Sequence, residues 1–180
     1  AVPEGGPSDR LATAQATLAF ADRDIRSSVV RLPPTVHGAG DHGFVAMLVD
    51  IARTKGVAGY VGDGSQRWPG VHRLDAARLF RLAVEGAPAG SVLHAVGDEG
   101  VAILDIAEVI GRHLGVPTAS ISPDDSMAHF GWLAAVLGLD SPASGTKTRE
   151  LLDWAATGIS LLDDLEAGSY FAPSPADPTA

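Results

Sequence analysis

The chain alternates stretches of helical hydrophobic spacing with short β-branched runs. In the clearest helical stretch, Ile103, Ile106, Ile110 and Leu114 form one apolar stripe, and Gly115 follows it as a helix stop. Similar apolar stripes recur along the rest of the chain. The pattern predicts helices over residues 9–22, 44–55, 75–85, 102–114, 124–137, 146–154 and 159–167.

Four short segments between these helices have the apolar, β-branched composition of strands. The predicted strands are residues 26–32, 59–61, 91–96 and 117–121. Pro33 and Pro34 end the first of them, because proline cannot donate a hydrogen bond to a strand ladder. Strands that alternate with helices indicate an α/β fold with a small, parallel-type sheet.

The composition limits the partners and the compartment. The 180 residues, 46% of them hydrophobic, are enough for one domain with a sizeable core. A net charge of −9 with scattered Lys and Arg argues against nucleic-acid binding and against an anionic membrane surface. The lack of cysteine excludes disulfides, thiolate metal sites and cysteine nucleophiles. No apolar run is long enough to cross a bilayer, so we expect a soluble, cytoplasmic protein.

Residues 38–43, with the sequence GAGDHG, match the glycine spacing of a dinucleotide-binding loop. Asp63 lies 20 residues beyond Gly43, at the distance of a ribose-binding carboxylate. In that fingerprint, however, the first glycine follows the strand directly, whereas residues 33–37 intervene here. A flexible glycine-rich loop is the alternative interpretation, and it is the one that we favour.

Other catalytic patterns are not visible in the sequence. The six histidines show neither His-x-x-x-His nor His-Glu-x-x-His spacing, and no Gly-x-Ser-x-Gly elbow occurs. We therefore predict no metal site and no serine nucleophile. The pairs Asp124–Asp125 and Asp163–Asp164 are typical of helix starts or solvent-facing charge.

Two blocks of sequence resemble a known family. Residues 28–41, SVVRLPPTVHGAGD, are similar to the V-x-R-P-x-x-V-Y-G-P-G-D segment of extended and atypical short-chain dehydrogenases/reductases, the NAD-dependent epimerase/dehydratase family. Residues 62–77, GDGSQRWPGVHRLDAA, resemble the later G-D-G…R-x-F-V-H-V-D-D-V-A block of the same family. The helix between the blocks and the helices after them also fit, so the resemblance covers about residues 8–171.

The resemblance implies an α/β fold made of a partial Rossmann-type unit, its last strand and helix, and a small helical α/β substrate lobe. It implies a Rossmann remnant with a nicotinamide-side loop over residues 8–43 and a substrate-binding lobe over residues 44–171. Residues 172–180 have the composition of a disordered tail.

The resemblance also assigns site residues. The implied cofactor-binding residues, for NAD or NADP, are Pro33, Pro34 and Thr35. The implied substrate-binding residues are His37, Asp41, His42, Phe44, Arg67, Trp68 and His72. Trp68 could instead be packing, and His72 could be a core histidine with satisfied hydrogen bonds. Asp75 is predicted to be the N-cap of the following helix.

The departures from the family decide what the chain can do alone. No Tyr-x-x-x-Lys pair precedes Arg31 and no glycine-rich turn opens a first strand, so the catalytic acid is unassigned. The implied function is the C-terminal part of an NAD(P)-dependent oxidoreductase or epimerase for a small carbonyl, sugar or steroid-like substrate, inactive without the missing cofactor half. The alternative is a non-catalytic ligand-binding or interaction module derived from that fold. We expect self-association, or a partner chain that supplies the missing half, because the face meant for absent strands would be apolar.

Overall fold

Helices and short strands alternate along the chain, in the order that the hydrophobic pattern predicts. The computed structural model describes residues 7–172. The helices are α1 Pro7–Leu18, α2 Phe44–Lys55, α3 Arg73–Gly86, α4 Ile103–Leu114, α5 Pro123–Phe130, α6 Ala134–Leu137, α7 Thr146–Leu152 and α8 Leu161–Glu166, with 3₁₀ turns at Ala19–Arg23, Gly131–Leu133 and Ser169–Phe171. The strands are β1 Ser28–Arg31, β2 Thr35–His37, β3 Ala58–Val61, β4 Arg67–His72, β5 Ser91–His94, β6 Asp98–Ala102 and β7 Thr118–Ile121.

The strands form three small sheets within the described residues. β1 pairs with β5 and β3 pairs with β7, both in parallel. The third sheet has the order β2–β4–β6, with a parallel β2–β4 pair and an antiparallel β4–β6 pair. This arrangement confirms the predicted α/β class with parallel strands.

Two clusters of buried residues hold these elements together. The larger cluster joins α2, α4, α8 and β3, and Val45, Ile106 and Leu161 are among its fully buried members. The smaller cluster packs α3 against β5 through Leu79 and Leu93. Helix boundaries follow local chemistry, since Gly56 and Gly115 take the left-handed conformation that ends α2 and α4.

The sequence pattern does not predict three of the short strands, namely β2, β4 and β6. β4 contains Pro69 and Gly70, residues that weaken a strand prediction, and its pairing with β6 is irregular between Trp68 and Gly70. Tertiary pairing outweighs local propensity in these segments.

Two further predictions are wrong. The helix predicted over residues 124–137 is interrupted, because Gly131 has a positive φ of 59° and a 3₁₀ turn follows. Asp75 is not the N-cap of α3. His72 is the N-cap, and its ring accepts a hydrogen bond from the backbone N–H of Leu74 at 3.4 Å.

The predicted tail falls, apart from Ala172, outside the described residues. Among the residues that are described, no helix combines the length and apolar character required to cross a membrane.

Candidate functional site

A buried histidine lies between two carboxylates where β2, β6 and α8 meet. His37 has no exposed surface, and its Nδ1 lies 3.0 Å from Oδ2 of Asp164, which is also buried. Its Nε2 lies 3.9 Å from Oδ2 of Asp98 and has no hydrogen-bond partner. The resemblance implies that His37 binds substrate, but the structure places its ring in the interior.

Alternation along β2 and the helical period of α8 produce this cluster. Thr35 and His37 point inward on β2, and the Thr35 hydroxyl donates to the carbonyl of Pro69 at 2.7 Å. In α8, Asp164 shares the buried face with Leu161 and Leu165. Asp164 lies in the first turn of α8, as the helix-start interpretation predicts. The solvent-facing alternative is wrong for this residue, because its helical position turns it toward the core.

The cluster borders a small cavity of about 140 Å³. The side chains of His72, Asp75 and Asp98 line it, and the His72 ring lies 5.5 Å from the His37 ring. Asp75 is fixed there, because its Oδ2 accepts from the backbone N–H of Gly158 at 2.8 Å. A buried imidazole beside carboxylates can hold or relay a proton, so this is the part of the described chain best suited to proton transfer.

The loop of residues 38–43 does not fit a phosphate cradle. The Gly43 amide donates to Oδ1 of Asp41 at 2.6 Å, and the Gly38 amide donates to the Tyr170 hydroxyl at 3.2 Å. Those amides are the donors that a pyrophosphate would need, and a carboxylate already occupies the loop. This geometry does not fit the dinucleotide-binding interpretation of the loop.

Asp63, the second part of that fingerprint, is a turn residue. Its Oδ1 accepts hydrogen bonds from the amide and the hydroxyl of Ser65, at 3.0 and 2.7 Å. These bonds lower the pKa of the Asp63 carboxyl. The carboxylate thus stabilises the turn between β3 and β4.

Tyr170 connects the loop to the end of the described chain. Its hydroxyl donates to Oδ2 of Asp41 at 3.0 Å while it accepts from Gly38. Burial raises the pKa of the Tyr170 phenol, and the neighbouring charges of Asp41 and Asp164 raise it further. The phenol therefore stays protonated and remains a hydrogen-bond donor at neutral pH.

The structure separates the remaining predicted substrate residues. Arg67 and His72 lie at opposite ends of β4, and Arg67 is paired with Asp140 through two guanidinium–carboxylate hydrogen bonds of 3.0 and 2.9 Å. Trp68 is fully buried, with its ring centroid 5.7 Å from that of Phe44, so packing is its evident role. His42 is exposed.

Arg67 borders an open cavity of about 380 Å³ with Glu99 and Ser144. A cavity of about 620 Å³ adjoins it and shares the wall formed by residues 142–144. His94 and Lys147 line this second space. Of the predicted substrate residues, His37 and His72 therefore lie at the buried polar cluster and Arg67 borders the open groove, while the others lie at neither.

Another groove lies between α1 and β1. It measures about 620 Å³ and is lined by residues that include Leu11, Ala14, Val29 and Leu32. Leu11 and Leu32 are about half exposed, at 52% and 49%. β5 is the one described strand that pairs with β1, so the other edge of β1 is open.

The predicted cofactor residues lie between these regions. Pro33 and Thr35 are buried and Pro34 is half-buried. They connect the carboxyl end of β1 to β2, and in open α/β sheets ligands bind beyond the carboxyl ends of strands.

The sequence does not identify three residues of the site. Asp98 and Asp164 flank His37 in the buried cluster, and Tyr170 contacts the loop of residues 38–43. Asp164 carried a usable signal, because it lies three residues after Leu161 on an apolar helical stripe. A carboxylate on such a face requires a buried partner. Asp98 and Tyr170 carried no comparable local signal.

Comparisons with known proteins bear on the fold. No protein-family model matches the chain. It is 49% identical over 155 residues to uncharacterized protein C2A9.02 of Schizosaccharomyces pombe, a match of 86% of this chain and 52% of that protein. It is 46% identical over 158 residues to uncharacterized protein YLL056C of Saccharomyces cerevisiae, a match of 88% of this chain and 53% of that one. The chain spans about half the length of these curated relatives.

Several solved structures superpose on this chain. DesIV, a dTDP-glucose 4,6-dehydratase from Streptomyces venezuelae with NAD and TYD bound, superposes with a TM-score of 0.69 at 18% identity, over 90% of this chain and 48% of that one. UDP-glucose 4-epimerase from Thermotoga maritima superposes with a TM-score of 0.68 at 19% identity, over 91% of this chain and 52% of that one. The chain has the fold of the matching half of these proteins. That half is the partial Rossmann-like fold that the sequence predicts.

Proposed function

We propose that this chain is the substrate-side part of an NAD(P)-dependent oxidoreductase or epimerase of the short-chain dehydrogenase/reductase type. A nucleotide-binding half, which pairs with the open edge of β1, completes it. The substrate is a small carbonyl, sugar or steroid-like molecule. The observation that carries the proposal is the unfinished β1 edge beside an apolar groove, in a chain half as long as its relatives.

The open edge has a defined hydrogen-bonding pattern. The carbonyl oxygens of Ser27 and Arg31 accept from Gly90 and Ala95, so alternate residues of β1 face β5. The N–H of Val30 therefore points to the opposite, open side. An exposed strand edge beside apolar side chains is a template for pairing with a further strand.

The cofactor would contact this chain on its nicotinamide side only. Pro33, Pro34 and Thr35 follow the carboxyl end of β1, whereas the described residues offer no fitting pyrophosphate site in the loop of residues 38–43. When bound, the cofactor supplies hydride transfer. The phosphate-binding residues would belong to the other half, which supports the idea that this chain does not bind the cofactor alone.

The division between the two units follows from the strand pairing. We propose that residues 8–43 contribute the end of the nucleotide-binding unit and residues 44–171 form the substrate lobe. β5 pairs with β1, and we therefore assign residues 91–94 to the nucleotide-binding side as well.

Where the two units meet, His37 with Asp98 and Asp164 is the group best suited to store a proton. The predicted substrate contacts that keep some exposure are Asp41, His42, Phe44, Arg67 and His72. His37 and Trp68 would support the site from behind, because both are fully buried.

A fluorescence titration with NADH and NADPH tests the proposal. The full-length S. pombe relative is compared with this chain and with an equimolar mixture of this chain and the part of the relative outside the match. We expect binding by the full-length protein and by the mixture, and none by the chain alone. If the full-length protein fails to bind either nucleotide, the proposed function is wrong.

A further inference from the structure

The end of the described chain is attached firmly to α4. Phe171 stacks on His113 with ring centroids 4.4 Å apart and planes 5° from parallel. Glu166 forms ion pairs with Arg112 and with His113, the latter at 3.1 Å. Residues 166–171, which we call the C-terminal strap, therefore have a fixed position that does not depend on the loop of residues 38–43.

The loop itself has few restraints of its own. Gly38 and Gly40 have φ values of 140° and 80°, a conformation that only glycine adopts readily. One backbone hydrogen bond closes the loop, from the Asp41 amide to the Gly38 carbonyl at 3.0 Å. A chain of this kind has many alternative conformations, so contacts from outside the loop must select one of them.

Tyr170 on the strap supplies such contacts. Its hydroxyl bridges the Gly38 amide and Oδ2 of Asp41, while Oδ1 of Asp41 receives the Gly43 amide at the start of α2. The two oxygens of one carboxylate thus connect Tyr170 to the far end of the loop. A hydrogen bond to a charged group in a partly buried position is among the stronger ones in proteins.

We propose that Tyr170 is a positioning residue, held by the strap on α4, whose hydroxyl sets the conformation of the 38–43 loop. The role of this loop as a wall of the substrate site rests on the proposed function. The link between Tyr170 and the loop does not, and it can be tested in the chain without any ligand.

Amide hydrogen exchange of the loop is the direct test. Tyr170→Phe removes one hydroxyl and keeps the ring, and Tyr60→Phe is the matched control, because Tyr60 is the other of the two tyrosines. We expect Tyr170→Phe to speed exchange at Gly38 and Gly43 by about tenfold, the effect of one lost charge-assisted hydrogen bond, and Tyr60→Phe to leave it unchanged. Equal loop exchange in the two variants would overturn the proposal.

A spectroscopic measurement separates positioning from a general loss of stability. In the Tyr60→Phe chain the tyrosinate absorbance reports Tyr170 alone, and it is read directly after a pH jump, before the chain unfolds. We expect Tyr170 to ionise at higher pH than free tyrosine does, and Asp41→Asn to move the ionisation back toward the ordinary value. If the pH at which Tyr170 ionises is the same with and without the Asp41 carboxylate, the proposed contact between the Tyr170 hydroxyl and Asp41 is wrong.

Failure of the Tyr170 proposal can be distinguished from failure of the proposed function. Hydrogen exchange and tyrosinate absorbance are both measured without nucleotide. If the full-length relative binds no NAD(P)H, the proposed function is wrong, but the positioning role of Tyr170 is unaffected. Conversely, an unaltered loop in Tyr170→Phe would remove the positioning role and leave the nucleotide titration unaffected.

Discussion

The β2–β4–β6 sheet and the β1–β5 pair are built from similar short strands, but their surroundings differ. α8 covers the first sheet, and the contact encloses polar groups, since the His37 ring lies within hydrogen-bond distance of Asp164 in the interior. The second leaves one edge of β1 open, with Leu11 and Leu32 half exposed beside it. The described residues therefore enclose His37 but leave apolar side chains uncovered beside β1.

The difference has an energetic reason. A buried polar pair such as His37 and Asp164 is tolerated only where the surrounding structure is closed and the geometry is fixed, because removing polar groups from water is costly. An apolar groove beside an open strand edge is stable only when something covers it. The β2–β4–β6 sheet is thus covered by elements of this chain, whereas we propose that a further segment covers the β1 side.

The largest effect is expected from removing the buried carboxylate. Asp164→Ala leaves His37 in the interior without its partner, which should lower the free energy of unfolding by about 3–5 kcal/mol. Urea denaturation measures it. The control is Asp163→Ala on the same helix, where the side chain is exposed and the cost should stay below about 1 kcal/mol. Equal losses in the two variants would mean that the interior pair does not stabilise the closed side.

A smaller effect is expected at alkaline pH. The folded-state pKa of Tyr170 is raised above its ordinary value of 10.0, so its contribution to stability is complete below pH 10 and is lost as the pH rises further. Tyr170→Phe should therefore lose less stability than the wild type between neutral and strongly alkaline pH. Denaturation midpoints across that range give the comparison, with Tyr60→Phe as control. If the denaturation midpoint of Tyr170→Phe falls with pH as steeply as that of the wild type, the burial of this phenol is contradicted.

The smallest effect is expected from Arg67→Ala. The ion pair with Asp140 is half exposed on both sides and is screened by solvent, so its loss should lower the stability only slightly. Thermal unfolding at low and high salt measures it. A larger cost, independent of salt, would show that this end of β4 is as closed as the end at His37.

The sequence predicts the α/β class and most helices, because α2 and α4 carry long apolar stripes that end at glycine. It fails where short strands depend on their neighbours, as in β4 with Pro69 and Gly70. In the candidate site, the resemblance indicates His37 and Asp41 but not their partners. Asp164 and Tyr170 lie more than 120 residues away in sequence, 127 from His37 and 129 from Asp41 respectively, and such pairings are decided by tertiary structure.

A pair of proline variants tests most directly our proposal that a strand of a nucleotide-binding half pairs with the open edge of β1. Val30→Pro removes an N–H that points to the open edge, whereas Val29→Pro removes one that faces β5. Association with the part of the S. pombe relative outside the match is measured by analytical ultracentrifugation, with the matching half of that relative as positive control. We predict that the wild-type chain associates, that Val30→Pro stays folded without associating, and that Val29→Pro loses stability. Undiminished association of Val30→Pro would contradict the account.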